Sequence, residues 1–271
     1  MDLRMQGKVA LITGAAGDIG SAVARAFAAE GVHLALIDSN APKLFTLACQ
    51  LRDDGATVST VALDLTKAEQ VVTGIREVLT PHGGRVDILI NNAGICPAFQ
   101  MEHLLDPHAL PDWEAVYRVN FYGYLVMVMC VLPLMRSQGS GVIINNASDL
   151  ARQPLPEMLH YSTAKASVLH VTHGLATYLG QCNIRVVAVA PGPTRTGIWT
   201  RQGGLMDFYA QKYGLPREEA LKRELRNRGL ALPRLAEPEE VSSLMVYLAS
   251  PLAASITRTV VDINCGSHSG Y

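Results

Sequence analysis

The chain has 271 residues, 49% of them hydrophobic and only 17% charged, and its 23 lysines and arginines against 24 aspartates and glutamates leave a net charge of −1. A disordered chain would be more polar and more strongly charged, and a nucleic-acid binder would carry a basic excess. Against about 25% charged residues in an average soluble domain, the deficit implies a large core, a buried subunit interface, or both.

The stretch Met1–Lys8 is charged and lacks the apolar centre of a signal peptide. Val9–Thr13 then reads as a first strand. It runs into Thr13-Gly14-Ala15-Ala16-Gly17-Asp18-Ile19-Gly20 and a helical stretch, Ser21–Glu30. Glycines at such a turn let the backbone approach a pyrophosphate, and the helix N-terminus offers the anion free N–H groups and a favourable dipole. The second strand, His33–Asp38, ends on an acidic residue 18 positions after Gly20. A carboxylate there accepts hydrogen bonds from ribose hydroxyls and repels a 2′-phosphate. Neither Ala16 nor Gly17 is basic, so NAD is favoured over NADP, with Lys43 the one opposing feature.

Further strands are expected at Val58–Asp64, Ile88–Asn91, Val142–Asn145, Arg185–Ala190 and Val260–Ile263, with a helix at Ala68–Leu79. The most apolar run, Tyr124–Met135, has 12 residues, too few to span a bilayer, which takes about 20; a buried helix and no membrane association are expected. The segment 194–234, richer in charge and glycine, interrupts the alternation and is a candidate lid. Alternating strands and helices imply an α/β fold: a Rossmann-type doubly wound parallel sheet in a single domain, 1–271, with a small helical lid insertion. The five cysteines have no zinc or redox-motif spacing and read as reduced thiols of a cytoplasmic protein.

Tyr161 and Lys165, at i and i+4, share one face of a helix. A tyrosine, with a pKa near 10, is a poor base at neutral pH, and a neighbouring ammonium favours its phenolate. The pair could then move a proton to or from an alcohol oxygen. Ser148, 13 residues earlier and just past a strand, could hold that oxygen. Asn120, taken alone, is a helix cap or a buried polar residue.

Together, TGAAGDIG, Asn91-Asn92-Ala93-Gly94, Asn120, Ser148, Tyr161-x-x-x-Lys165 and Pro191-Gly192 resemble the short-chain dehydrogenase/reductase family over about residues 5–266. The resemblance implies Tyr161 as general acid/base and Lys165 as the group that lowers its pKa and binds the nicotinamide ribose. It implies Ser148 as orienter of the substrate oxygen and Asn120 as holder of a proton-relay water. It also implies cofactor contacts at Asp64 and Leu65 (adenine), Asn92, Ala93 and Gly94 (adenosine), and Pro191, Gly192, Thr194 and Thr196 (nicotinamide). These join Gly14, Gly17, Asp18, Ile19, Gly20 and Asp38. One departure is plain. The compact branch of the family carries glycine where this chain has Asp18, while the spacing Gly14, Gly17, Gly20 is similar to the extended branch. Aspartate tolerates left-handed backbone angles, so Asp18 could keep the turn while placing a carboxylate near the phosphates.

Around His170/His173 and His103/His108 no carboxylate or cysteine completes a ligand set, so no metal is expected. Arg217–Arg228 reads as a solvated face. The stretch after Ser148 and the lid offer Leu150, Gln153, Pro154, Leu155, Met158, Trp199, Leu205, Met206, Phe208 and Tyr209, mostly apolar. A medium-sized, largely apolar secondary alcohol or its ketone is therefore the expected substrate, although Arg152, Arg195 or Arg201 could meet an acidic group. The alternatives are an NAD-binding regulator without turnover and an epimerase or dehydratase that recycles its nicotinamide. Segment Phe121–Met135 and the face carrying Val168, Val171 and Leu175 match the family's dimer helices, so a homotetramer, or else a homodimer, is expected.

Overall fold

The seven apolar runs form seven strands because helices pack on both faces of the sheet and cover their alternating side chains, more fully for the inner strands than for the two at the edges. In the computed structural model, which describes residues 2–267, they are β1 (Val9–Thr13), β2 (His33–Asp38), β3 (Val58–Ala62), β4 (Ile88–Asn91), β5 (Gly141–Asn146), β6 (Ile184–Pro191) and β7 (Val260–Ile263). All pairs are parallel, in the order β3-β2-β1-β4-β5-β6-β7. β3 ends two residues before the expected Asp64, where Leu63 leaves the ladder and the chain turns toward the next helix.

The helices are α1 (Asp18–Ala29), α2 (Ala41–Asp53), α3 (Ala68–Leu79), α4 (Met101–Leu104), α5 (Leu110–Tyr117), α6 (Gly123–Gln138), α7 (Leu159–Leu179), α8 (Gly197–Thr200), α9 (Leu205–Tyr213), α10 (Arg217–Asn227) and α11 (Pro238–Ala249). On one face of the sheet Ala10, Ile12 and Leu36 pack with Phe27, Leu47 and Met245 of α1, α2 and α11. On the other, Val9, Leu11 and Ile37 pack with Ile75, Met127, Val131 and Leu179 of α3, α6 and α7. Alternate residues of one strand thus enter different cores, which is why the strands are apolar throughout rather than alternating.

The apolar run Tyr124–Met135 belongs to a longer helical stretch. Pro107–Gln138 is continuous over 32 residues and, by length and composition alone, long and apolar enough to cross a membrane, so the length argument made on 12 residues does not hold. Its inner residues Tyr124, Met127, Val128, Val131 and Met135 are buried within the chain. The junction of α5 and α6, Arg118–Tyr122, is a π turn, and Asn120 lies in it. Asn120 is therefore neither a cap nor a residue ahead of the helix; it sits inside it, where the extra backbone residue of a π turn redirects a side chain.

α8, α9 and α10 fall within the expected lid. They form a third core, in which Trp199, Leu205, Tyr209, Leu221 and Leu225 pack with Leu150 and Met158 from the β5–α7 connection.

Candidate active site

The strand order reverses between β1 and β4, and there the carboxyl ends of the strands leave a crevice. A pocket of about 490 Å³ occupies it, lined by Gly14, Gly17, Asp18, Ile19, Gly20, Asp38, Asp64, Leu65, Asn92, Ala93, Gly94, Asn120, Tyr161, Lys165 and Thr196. The sequence did not single out Asn146, Ala147 and Ile198 there, and it considered Lys43 and Arg201 only as charges. An adjoining cavity of about 110 Å³ shares Tyr161 and Thr196 with this pocket and adds Ser148, Pro191, Gly192 and Thr194. All the proposed site residues thus line one of two connected spaces.

The glycine turn follows from close packing. Gly14 is left-handed at φ +61°, and a Cβ there would lie 2.7 Å from the Ala93 Cα; a Cβ on Gly20 would collide with the Gly14 carbonyl. The Asn92 amide donates to the Thr13 and Gly14 carbonyls at 3.2 Å each, and the Thr13 hydroxyl accepts from the Asn92 and Ala93 backbone N–H groups. Asn92 is therefore a brace for the turn as well as pocket lining. Gly17 caps α1 with extended backbone and no side-chain cap, which leaves the helix's first N–H groups for an anion. These features fit a dinucleotide's pyrophosphate.

Asp18 corrects the expectation. It is the first residue of α1, with no left-handed backbone, so the turn never needed its conformational tolerance. Its Oδ2 accepts from the Gly197 N–H at 2.6 Å, which ties the glycine turn to the start of α8. Asp38 has both carboxylate oxygens engaged, by the Ala16 and Asn40 N–H groups at 2.9 and 2.8 Å.

On α7, Tyr161 and Lys165 share the face toward the crevice. Lys165 Nζ donates to the Asn146 carbonyl (2.7 Å) and the Tyr124 hydroxyl (3.0 Å), and lies 5.7 Å from the Tyr161 ring centroid. Burial brings the Lys165 pKa down to about 7. Burial pushes Tyr161 well above its ordinary value, helped by Cys96 and opposed by the Ser148 hydroxyl. In the protein alone, desolvation therefore outweighs the expected effect of the ammonium on the phenol. The Ser148 hydroxyl donates to Asp149 Oδ1 (3.1 Å) and accepts from the Leu150 N–H (3.2 Å), so Asp149 orients it. Asn120 donates to the Ile95 and Val116 carbonyls at 2.9 and 3.0 Å, and its Oδ1 is a buried acceptor without a protein partner. A Cβ on Gly94 would lie 2.7 Å from that Oδ1 and 3.8 Å from Lys165 Nζ, so both atoms face the gap beside this glycine. His160 turns away from the pockets. It is buried against Phe99 and Trp113, where neither ring nitrogen has a partner and burial lowers its pKa.

Of the expected substrate wall, Leu150, Met158, Trp199 and Leu205 line the smaller cavity, joined by Cys96, whose thiol burial pushes up to about 12. Gln153 and Leu155 line a separate chamber of about 290 Å³, and Met206 and Tyr209 are spent in the lid core. Arg152 and Arg195 are tied to Asp262 and Glu237. The guanidinium that reaches the cavity belongs instead to Arg228, whose side chain is 7% exposed, contrary to the solvated face read from its segment. Charge density along a helix carries no sign of which turn faces inward; here the apolar spacing Leu221, Leu225 marks that turn.

The family model for short chain dehydrogenases matches residues 8–203. A D-threitol dehydrogenase of Mycolicibacterium smegmatis is 33% identical over 265 residues, 98% of this chain and 94% of that one. The L-sorbose reductase of Gluconobacter frateurii, solved with NADPH and L-sorbose, superposes with a TM-score of 0.90 at 29% identity over the whole of both chains. A 3-ketoacyl-(acyl-carrier-protein) reductase of Brucella melitensis, solved with NADH, superposes with a TM-score of 0.82 at 30% identity, over 97% of this chain and 99% of that one.

Proposed function

The chain belongs to the short-chain dehydrogenase/reductase family, and from that premise we propose that it transfers a hydride between NAD(H) and a secondary alcohol or its ketone. The observation that carries this reading is the convergence of Ser148, Tyr161, Lys165 and Asn120 where the two pockets meet. The nicotinamide, when bound, supplies the hydride acceptor or donor. Tyr161 takes or gives the proton of the substrate oxygen, and Ser148, whose proton rests on Asp149 in the protein alone, turns it to that oxygen to hold it beside the phenol. Lys165 binds the ribose and, when charged, favours the phenolate. The free acceptor on Asn120 suits a relay water behind Lys165.

NAD is the preferred cofactor in this reading, because Asp38 stays anchored at the end of β2 by two N–H donors, where a 2′-phosphate would meet its charge. Asp64 and Leu65 would border the adenine, and Pro191 to Thr196 the nicotinamide. The single domain 1–271 carries α8–α10 as a lid. The substrate's carbon frame would meet the apolar walls of Leu150, Met158, Trp199 and Leu205. Five free thiols suit a reducing, cytoplasmic setting. A dehydrogenase for a polyol and a reductase for a ketose among the similar proteins support the alcohol/ketone chemistry.

The test is nicotinamide absorbance with a panel of secondary alcohols and ketones, using NAD and NADP in parallel. Tyr161→Phe is expected to lower kcat by at least about a hundredfold, the usual scale of general acid/base catalysis. Unchanged turnover would remove Tyr161 from the mechanism, and equal use of NADP would remove the role given to Asp38.

A further inference from the structure

Arg228 is a buried charge that the reaction does not use. Its Nε donates to Glu224 Oε1 at 2.9 Å, and the guanidinium carbon stands 5.3 Å from the Trp199 ring centroid. Its Nη2 is buried without a hydrogen-bond partner. Such an orphan donor is costly, since a buried N–H loses its water without replacement. Arg228 also sits in the wall between two spaces: with Asp149 and Leu150 it lines both the cavity beside Ser148 and Tyr161 and the 290 Å³ chamber behind it. That chamber also carries Glu157, Lys212 and Asn227 among apolar walls such as Leu155 and Pro156.

The charges on this wall decide what it would receive. One guanidinium stands against two buried carboxylates, Glu224 at 3% and Asp149 at 4% exposure. Asp149 accepts from Ser148 and from Ser267, at 3.1 and 2.8 Å. A substrate carboxylate would add a third negative charge where water is scarce, which costs more than it returns. A hydroxyl or carbonyl oxygen adds none, and it offers the guanidinium a further acceptor beside Glu224.

We propose that Arg228 receives a second, uncharged oxygen of the substrate in the small cavity whose wall it shares with Ser148 and Tyr161. The preferred class is then hydroxylated secondary alcohols and the matching hydroxyketones, not simple alcohols or hydroxy acids. The inference rests on the dehydrogenase reading and names the substrate class for that site.

The experiment compares matched substrates with NAD on the intact protein: butan-2-ol, butane-2,3-diol, butane-1,3-diol and 3-hydroxybutanoate, with cyclohexanol against cyclohexane-1,2-diol as a bulkier pair. The hydroxylated member of a pair is expected to have kcat/KM roughly tenfold or more above its parent, the scale of a hydrogen bond to a charged group. The hydroxy acid should fall below the diols. In Arg228→Met the ratio of diol to parent should collapse toward one, mainly through KM. Because that variant strands Glu224 and can fail to fold, Arg228→Lys provides the second reading, with the charge kept, the planar fork lost and a ratio between the two. Equal rates for parent and diol in the wild type overturn the proposal, as does a ratio that survives both variants. A preference for the hydroxy acid overturns the choice of a neutral oxygen. Absence of turnover with every alcohol and ketone removes the dehydrogenase reading itself, and this proposal with it.

Discussion

Lys165 Nζ sits between the Tyr124 hydroxyl and the Asn146 carbonyl, both neutral, and its burial is what brings its pKa to about 7. In the unfolded chain the same amine titrates near 10.5, so between these limits the unfolded state binds the extra proton. Folding is then penalised by the buried amine most below about pH 7, and the penalty fades as pH rises toward 10.5. Replacement by methionine removes the penalty. The stability of Lys165→Met relative to wild type is therefore expected to be highest near pH 7 and to decline at higher pH by up to about 1.4 kcal/mol per unit. Urea unfolding at several pH values checks this, and a pH-independent difference would contradict it. The pairing of Tyr161 and Lys165 on one helix face was legible from type and spacing, because residues at i and i+4 share a face. The direction of the phenol's own shift was not, since it depends on how much water the fold removes from around it.

At the scale of elements, one hydrogen bond ties the glycine turn to the start of α8. The Asp18 carboxylate holds the Gly197 N–H at the entrance of α8, while its charge stands at the N-terminus of α1, where a pyrophosphate is expected. Asparagine keeps an acceptor oxygen and drops the charge. Asp18→Asn is thus expected to tighten NADH binding by about threefold to tenfold, as a few ångströms of removed repulsion at a partly exposed site would. Asp18→Ala, which also loses the tie to α8, should gain less. Fluorescence titration with NADH measures both, and weaker binding by the asparagine variant would show that the carboxylate helps the cofactor. The seven strands and the helices expected at Ser21–Glu30 and Ala68–Leu79 were readable from apolar periodicity to within a few residues. The π turn at Arg118–Tyr122 was not, because it arises from the fit of one long helix against the sheet and leaves no local composition signal.

For the whole molecule, the shortage of charge found in the sequence has two sources. One is the sheet covered on both faces. The other is an outer surface where Tyr122 is 53% and Met129 66% exposed, beside a groove of about 650 Å³ lined by Leu110, Trp113, Tyr117, Tyr122 and Val126. Val168, expected on that outer face, is buried within the chain, so α7 contributes less to it than the sequence suggested. Apolar patches of this kind rarely stay in water. A homotetramer, or failing that a dimer, is the expected assembly in light scattering at micromolar concentration, and Met129→Lys should shift it toward smaller species. A wild-type monomer under those conditions would overturn the expectation.

By itself the sequence determined the strand–helix order, the glycine turn after β1 and the shared helix face of Tyr161 and Lys165, because these depend on periodicity and fixed spacing along single elements, whereas Ser148 and Asn120 were marked by the resemblance to the family. Only the tertiary structure decided what surrounds them. Asp149 behind Ser148, Tyr124 beside Lys165, Gly197 on Asp18 and Arg228 in the wall of the smaller cavity lie from one to 179 positions away from the residues they adjoin. Desolvation and hydrogen-bond partnership are properties of the packed environment. A segment as charged as Arg217–Arg228 reveals its one buried guanidinium only in the packed fold, where Trp199 and Glu224 surround it.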